Sequence, residues 1–132
     1  MLHLTKVAFG APSLDYLLER LAERAASGGI ALTTRNLPKR HAEIAGKGSL
    51  FWIMKHQLVA RTPILGFGEA EGGRVAILLG AETRIVHPAP KRAHQGWRYL
   101  EAADAPADLA EGAAQAILPP ALARELASLA LL

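Results

Sequence analysis

The sequence of 132 residues contains no cysteine, and this absence removes several classes of chemistry. Without thiols there is no disulfide framework, no thiolate nucleophile and no zinc site built from cysteine ligands. A chain without cysteine also fits a reducing compartment. We therefore expect a cytoplasmic protein.

Two further absences bound the class of protein. No uncharged apolar run approaches the roughly 20 residues that cross a bilayer, so we expect no membrane partner. The first ten residues lack the charged start and apolar core of a signal peptide. With 51% hydrophobic and 20% charged residues, the composition is that of a folded globular protein, and we predict a single domain over residues 1–132.

Catalytic and metal-binding signatures are missing as well. No two histidines have the i, i+4 spacing that holds a metal on a helix. The sequence has no Gly-x-Ser-x-Gly elbow, and its glycine-rich residues 66–73 form neither a P-loop nor a dinucleotide fingerprint. We therefore predict no metal, no cofactor and no catalytic residue. The histidines occur singly, as His3, His41, His56, His87 and His94.

The net charge of +3 is unevenly distributed along the chain. Residues 35–98 carry 11 lysines and arginines against 4 acidic residues, whereas residues 101–132 carry 5 acidic residues against 1 arginine. A localised positive face of this kind is typical of a phosphate-binding surface. A solvated face without a partner is the plainer alternative.

The stretch from Gly48 to Gly68 is the most informative part of the chain. Two adjacent β-prone apolar runs, residues 50–54 and 59–67, predict two strands, the first of them covered on both faces. Glycines 66 and 68 on either side of Phe67 indicate a bulge or a sharp bend. Trp52, within the first run, is expected in the core.

The remaining elements are predicted from the spacing of apolar residues and from the capping, glycine and proline residues at their ends. Leucines at helical spacing predict a helix that begins after the N-cap Ser13 and ends at residues 27–29. Pro119 and Pro120 predict a last helix over residues 121–132, whose leucines could contact a protein partner. Short strands are predicted over residues 2–9, 30–34, 75–79 and 83–86, and an ordered proline-containing loop over residues 87–100.

Basic and aromatic residues occur together in this last loop. Cationic side chains contact phosphates, and an exposed aromatic ring can stack on an unpaired base. Trp97 has two interpretations of equal weight, a stacking platform or a plug on the sheet, whereas a plug is favoured for Tyr99. The predicted nucleic-acid-binding residues are Arg35, Lys39, Arg40, Lys55, Arg61, Lys91, Arg92, Gln95, Trp97 and Arg98.

Several motifs extend over nearly the whole chain: Arg35, Pro38-Lys39-Arg40, Gly48–Lys55, Arg61, Ile64-Leu65-Gly66, Gln95–Leu100 and Asp104-Ala105-Pro106. Together they resemble an uncharacterised, mostly alphaproteobacterial family that is known only as a domain of unknown function. His94 departs from the family pattern, in which an aromatic residue is expected before Gln95. The resemblance implies a family and no activity.

A second resemblance rests on the order of a helix, a basic turn, and then the segments Gly48–Ile53 and Ile64–Glu69. This order is similar to the PUA-like fold, which includes the PUA, ASCH and EVE domains. It implies an α+β fold with a small curved, partly closed antiparallel β-sheet, a PUA-like barrel, flanked by an N-terminal and a C-terminal helix. It also implies a role in binding RNA or a modified base.

We therefore expect non-catalytic binding of RNA or a modified nucleotide through a basic, aromatic-containing face. The alternatives are a small ASCH-like hydrolase acting on a nucleoside or nucleotide, and a protein-interaction module that uses the acidic, leucine-rich C-terminus. A buried Lys–Glu pair in a cleft would favour the hydrolase. An exposed basic face would favour RNA binding, and an exposed leucine stripe would favour a protein partner. The resemblance to ASCH-like hydrolases would assign catalysis to Lys39, Thr33 or Thr34, and Glu69.

Overall fold

The computed structural model describes residues 2–109, and within that range the chain is mostly β-sheet. The strands are joined in the order β2-β5-β4-β3-β1-β7, and β6 pairs with β4 beside this path. The elements in chain order are β1 (Leu2–Val7), α1 (Leu14–Ala26), β2 (Ile30–Thr34), β3 (Ser49–Met54), β4 (Gln57–Glu69), β5 (Val75–Leu79), β6 (Arg84–Pro90) and β7 (Trp97–Glu101).

The long strand β4 belongs to two parts of the sheet. Its first half pairs with β3 on one side and with β6 on the other, and its second half pairs with β5. The register shifts between Ile64 and Gly66, so the strand is irregular at Leu65, two residues before Phe67, where the flanking glycines predict a bulge or bend. A bulge bends its strand and increases the local twist. The sheet therefore turns at this point, and β5 and β2 fold away from β3 and β1.

Strand β3 lies in the middle of the sheet and is buried on both faces, as its apolar run predicts. All six of its residues are buried, and it pairs in parallel with β1 and antiparallel with β4. Trp52 is 5% exposed and its indole N–H donates to the Thr62 hydroxyl at 3.0 Å, which confirms its place in the core.

Because side chains alternate across a strand, β3 supplies two cores. The main core lies between the sheet and α1, and a second, smaller core lies on the opposite face. The main core includes Leu14, Leu17 and Leu21 of α1 with Leu50, Trp52 and Met54 of β3. The second core contains Phe51, Ile53, Leu58, Val86 and Leu100.

Helix α1 forms as its sequence pattern predicts. The Ser13 side chain accepts a hydrogen bond from the backbone N–H of Tyr16 at 3.1 Å, which is the expected N-cap contact. At the other end the backbone N–H of Ser27 donates to the carbonyl oxygens of Glu23 and Arg24. The leucine stripe then faces the main core, and the arginines of the helix lie on its exposed side.

The expected fold class, a partly closed antiparallel PUA-like barrel with a helix at each end, is wrong. Residues 2–109 contain one α-helix, and it lies between β1 and β2. The sheet is open, because β2 and β7 are its two ends and do not pair with each other. It is also mixed, since β1 runs parallel to β3. The predicted C-terminal helix, residues 121–132, lies outside the described residues.

The expected loop over residues 87–100 is also wrong in large part. Strand β6 continues through Pro88 to Pro90, and β7 begins at Trp97. Proline lacks an N–H and is tolerated in a sheet on edge strands. On its other side β6 is joined to residues 107–109, since Val86 lies opposite Asp108 and the His87 N–H donates to the Ala107 carbonyl oxygen at 2.9 Å. Pro88 and Pro90 follow these contacts, and the ladder with β4 shifts its register between Leu58 and Ala60.

Gly48, at the start of β3, provides a steric test of this packing. A Cβ atom there would overlap the backbone carbonyl oxygen of Leu2, whereas a Cβ at Gly66 would meet nothing within 4 Å. Gly48 cannot move aside easily, since its N–H donates to the Ile44 carbonyl at 2.8 Å and its carbonyl accepts from the Ile64 N–H at 3.0 Å.

We expect Gly48→Ala to lower the free energy of unfolding by about 1–3 kcal/mol or more, as overpacking does. The matched control Gly66→Ala should stay within about 0.5 kcal/mol of the parent. Chemical denaturation of the three proteins measures both values. Equal losses in the two variants would contradict the close approach of β1 to the start of β3.

Candidate functional site

The residues predicted to bind nucleic acid do not converge on one point. Lys55 is in the β3–β4 turn, at the end of the sheet where Lys91 and Arg92 follow β6. The Lys91 N–H donates to the His56 carbonyl oxygen at 2.9 Å, so the turn and this segment touch. The others lie after β2 (Arg35, Lys39, Arg40), in β4 (Arg61), just before β7 (Gln95) and on β7 (Trp97, Arg98).

Arg40 is held by carboxylates of the protein itself. Its Nε lies 2.6 Å from Glu43 Oε2 and its Nη1 lies 2.9 Å from Glu101 Oε1. The hydrogen bonds to Glu43 and Glu101 raise the pKa of Arg40. The Arg40 guanidinium also lies 5.8 Å from the ring of Tyr99, whose hydroxyl accepts from the Arg40 backbone N–H at 3.2 Å. Through these contacts Arg40 attaches the start of a 3-10 turn to β7.

Arg61 is engaged in a similar way on the face of the second core. It donates to both carboxylate oxygens of Asp108, at 2.6 and 2.7 Å, and to the Ser49 hydroxyl at 2.9 Å. The hydrogen bond to Arg61 lowers the pKa of Asp108, and the same bond raises the pKa of Arg61. Bidentate arginine–carboxylate pairs are geometrically specific. Arg61 therefore fastens the segment after β7 onto β4.

A cleft of about 510 Å³ lies between the two ends of the sheet, β2 and β7. We call it the edge cleft. Three cationic residues line it: Lys6 from β1, Arg35 after β2 and Arg74 before β5. Within residues 2–109, no acidic side chain lines it, and none of the three cations pairs with a carboxylate. Its other polar groups belong to Thr33, Thr34, Asn36 and Gln95.

The charge of the edge cleft opposes closure of the sheet. If β2 and β7 paired, Lys6, Arg35 and Arg74 would come closer together and lose water. Burying a charge without a partner is costly, and like charges at short distance repel. The same residues that form a positive cleft therefore oppose closure of the sheet into a barrel.

Trp97 forms part of one wall of the edge cleft and is half-buried. Its ring packs on the main core and meets the ring of Tyr99 edge to face, with centroids 5.1 Å apart and planes at 62°. Opposite it in β1 lies Lys6. Trp97 thus combines features of both interpretations, since part of the indole is packed and part of it lines the cleft. Tyr99 also packs on the main core.

Lys6 and Arg74 were not among the predicted binding residues, because both lie far along the chain from the other residues of the cleft. Lys6 did carry a signal. Leu2, Leu4 and Lys6 occupy alternate positions of β1, and the two leucines are in the main core. A lysine at the next position of that inward-facing series indicates a place where the core opens to water or to a ligand.

His94 lies beside the same end of β7 in a positive environment. Its Nδ1 lies 3.3 Å from the Gln95 carbonyl oxygen, and its Nε2 lies 2.8 Å from the Thr5 hydroxyl oxygen. Burial is the largest cause that lowers the pKa of His94, and the charges of Arg98, Lys91 and Lys6 lower it further. The hydrogen bond to Gln95 acts in the opposite direction. His94 therefore reports on the positive potential of this region.

The arrangement expected for a hydrolase is not found in the described range. Lys39 and Glu69 are both exposed, and they form no ion pair there. No three carboxylate or imidazole groups of residues 2–109 come together as metal ligands. The leucines of the expected protein-binding stripe lie outside the described residues. Among residues 2–109, no helix has the length and apolar character needed to cross a membrane.

Comparison with known proteins identifies a family. A family model described as "Protein of unknown function (DUF1489)" matches residues 4–132. The chain therefore belongs to this family, and the expected membership of an uncharacterised family is confirmed. No curated protein matches the chain, and no solved structure does.

The environment of His94 gives a testable titration. We expect the pKa of His94 to lie below the ordinary value of about 6.5 and to rise in Arg98→Gln, since Arg98 is the first of the three cations that lower it. Arg84→Gln, on β6 and paired with Glu82, removes the same charge elsewhere and should leave it unchanged. NMR titration of the imidazole measures each pKa.

The same shift has a consequence for stability. In the unfolded chain His94 has its ordinary pKa, so as pH falls below about 6.5 the unfolded state binds the proton first. The contribution of His94 to stability is therefore complete above that pH and decreases below it. An unchanged pKa in Arg98→Gln would contradict the positive environment described here.

Proposed function

We propose that this member of the family binds RNA or a modified nucleotide through the edge cleft, and that it does so without catalysing a reaction. The observation that carries the proposal is a cleft with three cations, no acidic lining residue within the described range, and Trp97 in its wall. Anionic phosphate and an aromatic base together match such a lining, whereas phosphate alone leaves the indole unexplained.

The three cations of the edge cleft can bind phosphate groups. Lys6, Arg35 and Arg74 approach the cleft from three different elements. Their charges are not neutralised by carboxylates of residues 2–109, so a phosphate would not have to displace an internal partner. Arg40 and Arg61 differ in this respect, because their guanidinium groups already have carboxylate partners. The proposal therefore assigns phosphate contact to the first three and positioning to the other two.

The polar and aromatic groups of the edge cleft can bind a base. The exposed part of Trp97 offers a surface for stacking, which is the usual way in which proteins hold an unpaired base. Thr33, Thr34, Asn36 and Gln95 place hydroxyl and amide groups in the same cleft. Such groups donate and accept hydrogen bonds, so they can recognise a base edge or a modification on it.

The other predicted residues extend the positive surface beyond the cleft. Lys55, Lys91 and Arg92 lie at the same end of the sheet, and Arg98 is exposed on β7. Exposed cations of this kind attract a polyanion over a distance of about 10 Å at ordinary salt. We assign these residues, with Lys39, to long-range attraction, and we place the protein in the cytoplasm, where a chain without cysteine fits the reducing conditions.

The charge of the edge cleft can be tested by its salt dependence. Each phosphate contact on a single strand contributes about 0.7 to the slope of log affinity against log salt concentration. We expect Arg35→Gln with Arg74→Gln to weaken binding of a short oligouridine and to reduce this slope by about 1.4. Arg84→Gln removes one charge outside the cleft, so its effect is compared with half of the effect of the double variant. Fluorescence anisotropy at several salt concentrations provides the affinities.

Failure of the parent protein to bind oligouridine or a mixed-sequence RNA at low salt would remove the proposal. If Arg84→Gln weakens binding by half as much as the double variant does, net charge, and not the cleft, determines affinity.

Trp97 can be tested by two substitutions of different shape. Stacking on a base is worth about 1–3 kcal/mol, so Trp97→Phe should retain more RNA affinity than Trp97→Leu. Both variants should lower the melting temperature, because the packed part of the indole is lost. Binding and melting are measured on the same samples. If both variants bind like the parent and only the melting temperature falls, Trp97 is a plug and nothing more.

A further inference from the structure

A second cleft adjoins the edge cleft and has no role in the function proposed above. It has a volume of about 490 Å³ and lies between the end of β1 and helix α1. We call it the helix cleft. The two clefts share Lys6, Leu32 and Thr33 in their linings, so they are adjacent and these three residues lie between them.

The helix cleft repeats the chemistry of the edge cleft with different residues. Its cations are Arg20 and Arg24 from α1 together with the shared Lys6, and its aromatic residues at the surface are Phe9 and Tyr16. No acidic side chain of residues 2–109 lines it. None of these cations forms an ion pair within that range. Arg20 and Arg24 belong to the exposed side of a helix, where the leucine pattern alone suggests only contact with water.

The aromatic rings of the helix cleft are unusually accessible. Phe9 is 70% exposed and Tyr16 is 41% exposed. Each has a cation over its ring, with Lys6 Nζ 5.8 Å from the Phe9 centroid and the Arg20 guanidinium 5.9 Å from the Tyr16 centroid. A phenylalanine with this exposure loses the free energy that burial would provide. Paired with cations beside a cleft, it is better explained as a contact for a ligand.

We propose that the helix cleft is a second nucleotide subsite, and that the ligand is single-stranded RNA that runs continuously through both clefts. This inference rests on the proposed function of the edge cleft and specifies its ligand. One base lies on Trp97 in the edge cleft and another on Phe9 or Tyr16 in the helix cleft. Lys6, which lines both, contacts the phosphate between them.

Single-stranded RNA fits these observations better than a duplex or a peptide does. Bases can stack on protein rings only when they are unpaired and separated from their neighbours, which a duplex does not allow. Each of the two adjacent clefts combines cations with an aromatic ring, which matches a strand in which each nucleotide carries a phosphate and a base. An acidic peptide would satisfy the cations but supplies no planar groups for the rings.

The experiment compares an oligouridine of about six nucleotides, a length within the site size of single-strand-binding surfaces, with uridine monophosphate. A ligand that reaches both clefts should bind the parent more tightly than the mononucleotide does. The ratio of the two affinities should fall by about 5-fold to 150-fold in Phe9→Ala, which corresponds to the loss of one stacked base. Leu65→Ala is the matched control, because Leu65 is also exposed, at 62%, and lines neither cleft.

A charge variant gives a second measurement that does not depend on Phe9. Arg20→Gln should reduce the salt slope of oligouridine binding by about 0.7, and Arg84→Gln should leave that slope unchanged. Circular dichroism and the melting temperature of each variant show that the fold is retained.

The outcomes separate this inference from the function on which it rests. If the mononucleotide and the oligouridine bind with equal affinity and Phe9→Ala changes neither, the second subsite is wrong and the edge cleft stands. If neither ligand binds, both proposals fail. If duplex RNA binds as tightly as oligouridine, or if polyglutamate of matched charge displaces oligouridine equally well, the assignment to single-stranded RNA is overturned.

Discussion

The bend in strand β4 is the constraint on which the rest of the structure depends. Without a bend, a strand of 13 residues would keep all of its partners in one continuous twisted sheet. The register shift between Ile64 and Gly66 turns the second half of the strand, so that β5 and β2 lie over the core together with α1. The opposite ends of the sheet, β2 and β7, then border one cleft without closing it. The position of the candidate site follows from that bend.

Electrostatics then separates the basic residues into two groups. Arg40 and Arg61 have carboxylate partners at 2.6 Å, and they attach the segments before β3 and after β7 to the sheet. Lys6, Arg35 and Arg74 face the edge cleft without such partners in the described range. Exposed ion pairs contribute little stability on their own. The two groups therefore differ mainly in whether their charges are available to bind a ligand. A net charge of +3 conceals this division.

Local elements could be predicted from the sequence, but the meeting of distant elements could not. The Ser13 cap with its leucine stripe and the apolar run of β3 determine their own structures through nearby residues. The first part of β6 was predicted over residues 83–86, but its continuation to Pro90 was missed. Pro88 argues against a strand unless the strand is known to be at an edge, which depends on the whole topology. Arg35, Gln95 and Trp97, which the sequence predicts to bind nucleic acid, line the edge cleft. Lys6 and Arg74 join them only through the pairing of β1 with β7 and of β2 with β5.

Arg40 and Trp97 illustrate why charge and aromaticity alone do not assign a role. Arg40 is held by Glu43 and Glu101, lies over the ring of Tyr99, and bonds its hydroxyl. Tyr99 in turn meets Trp97 edge to face. This series of contacts restrains the indole at the wall of the edge cleft, so little side-chain entropy remains to be lost when a ligand stacks on it. Packing and stacking are therefore compatible roles for Trp97, because the packed part of the ring holds the accessible part in place.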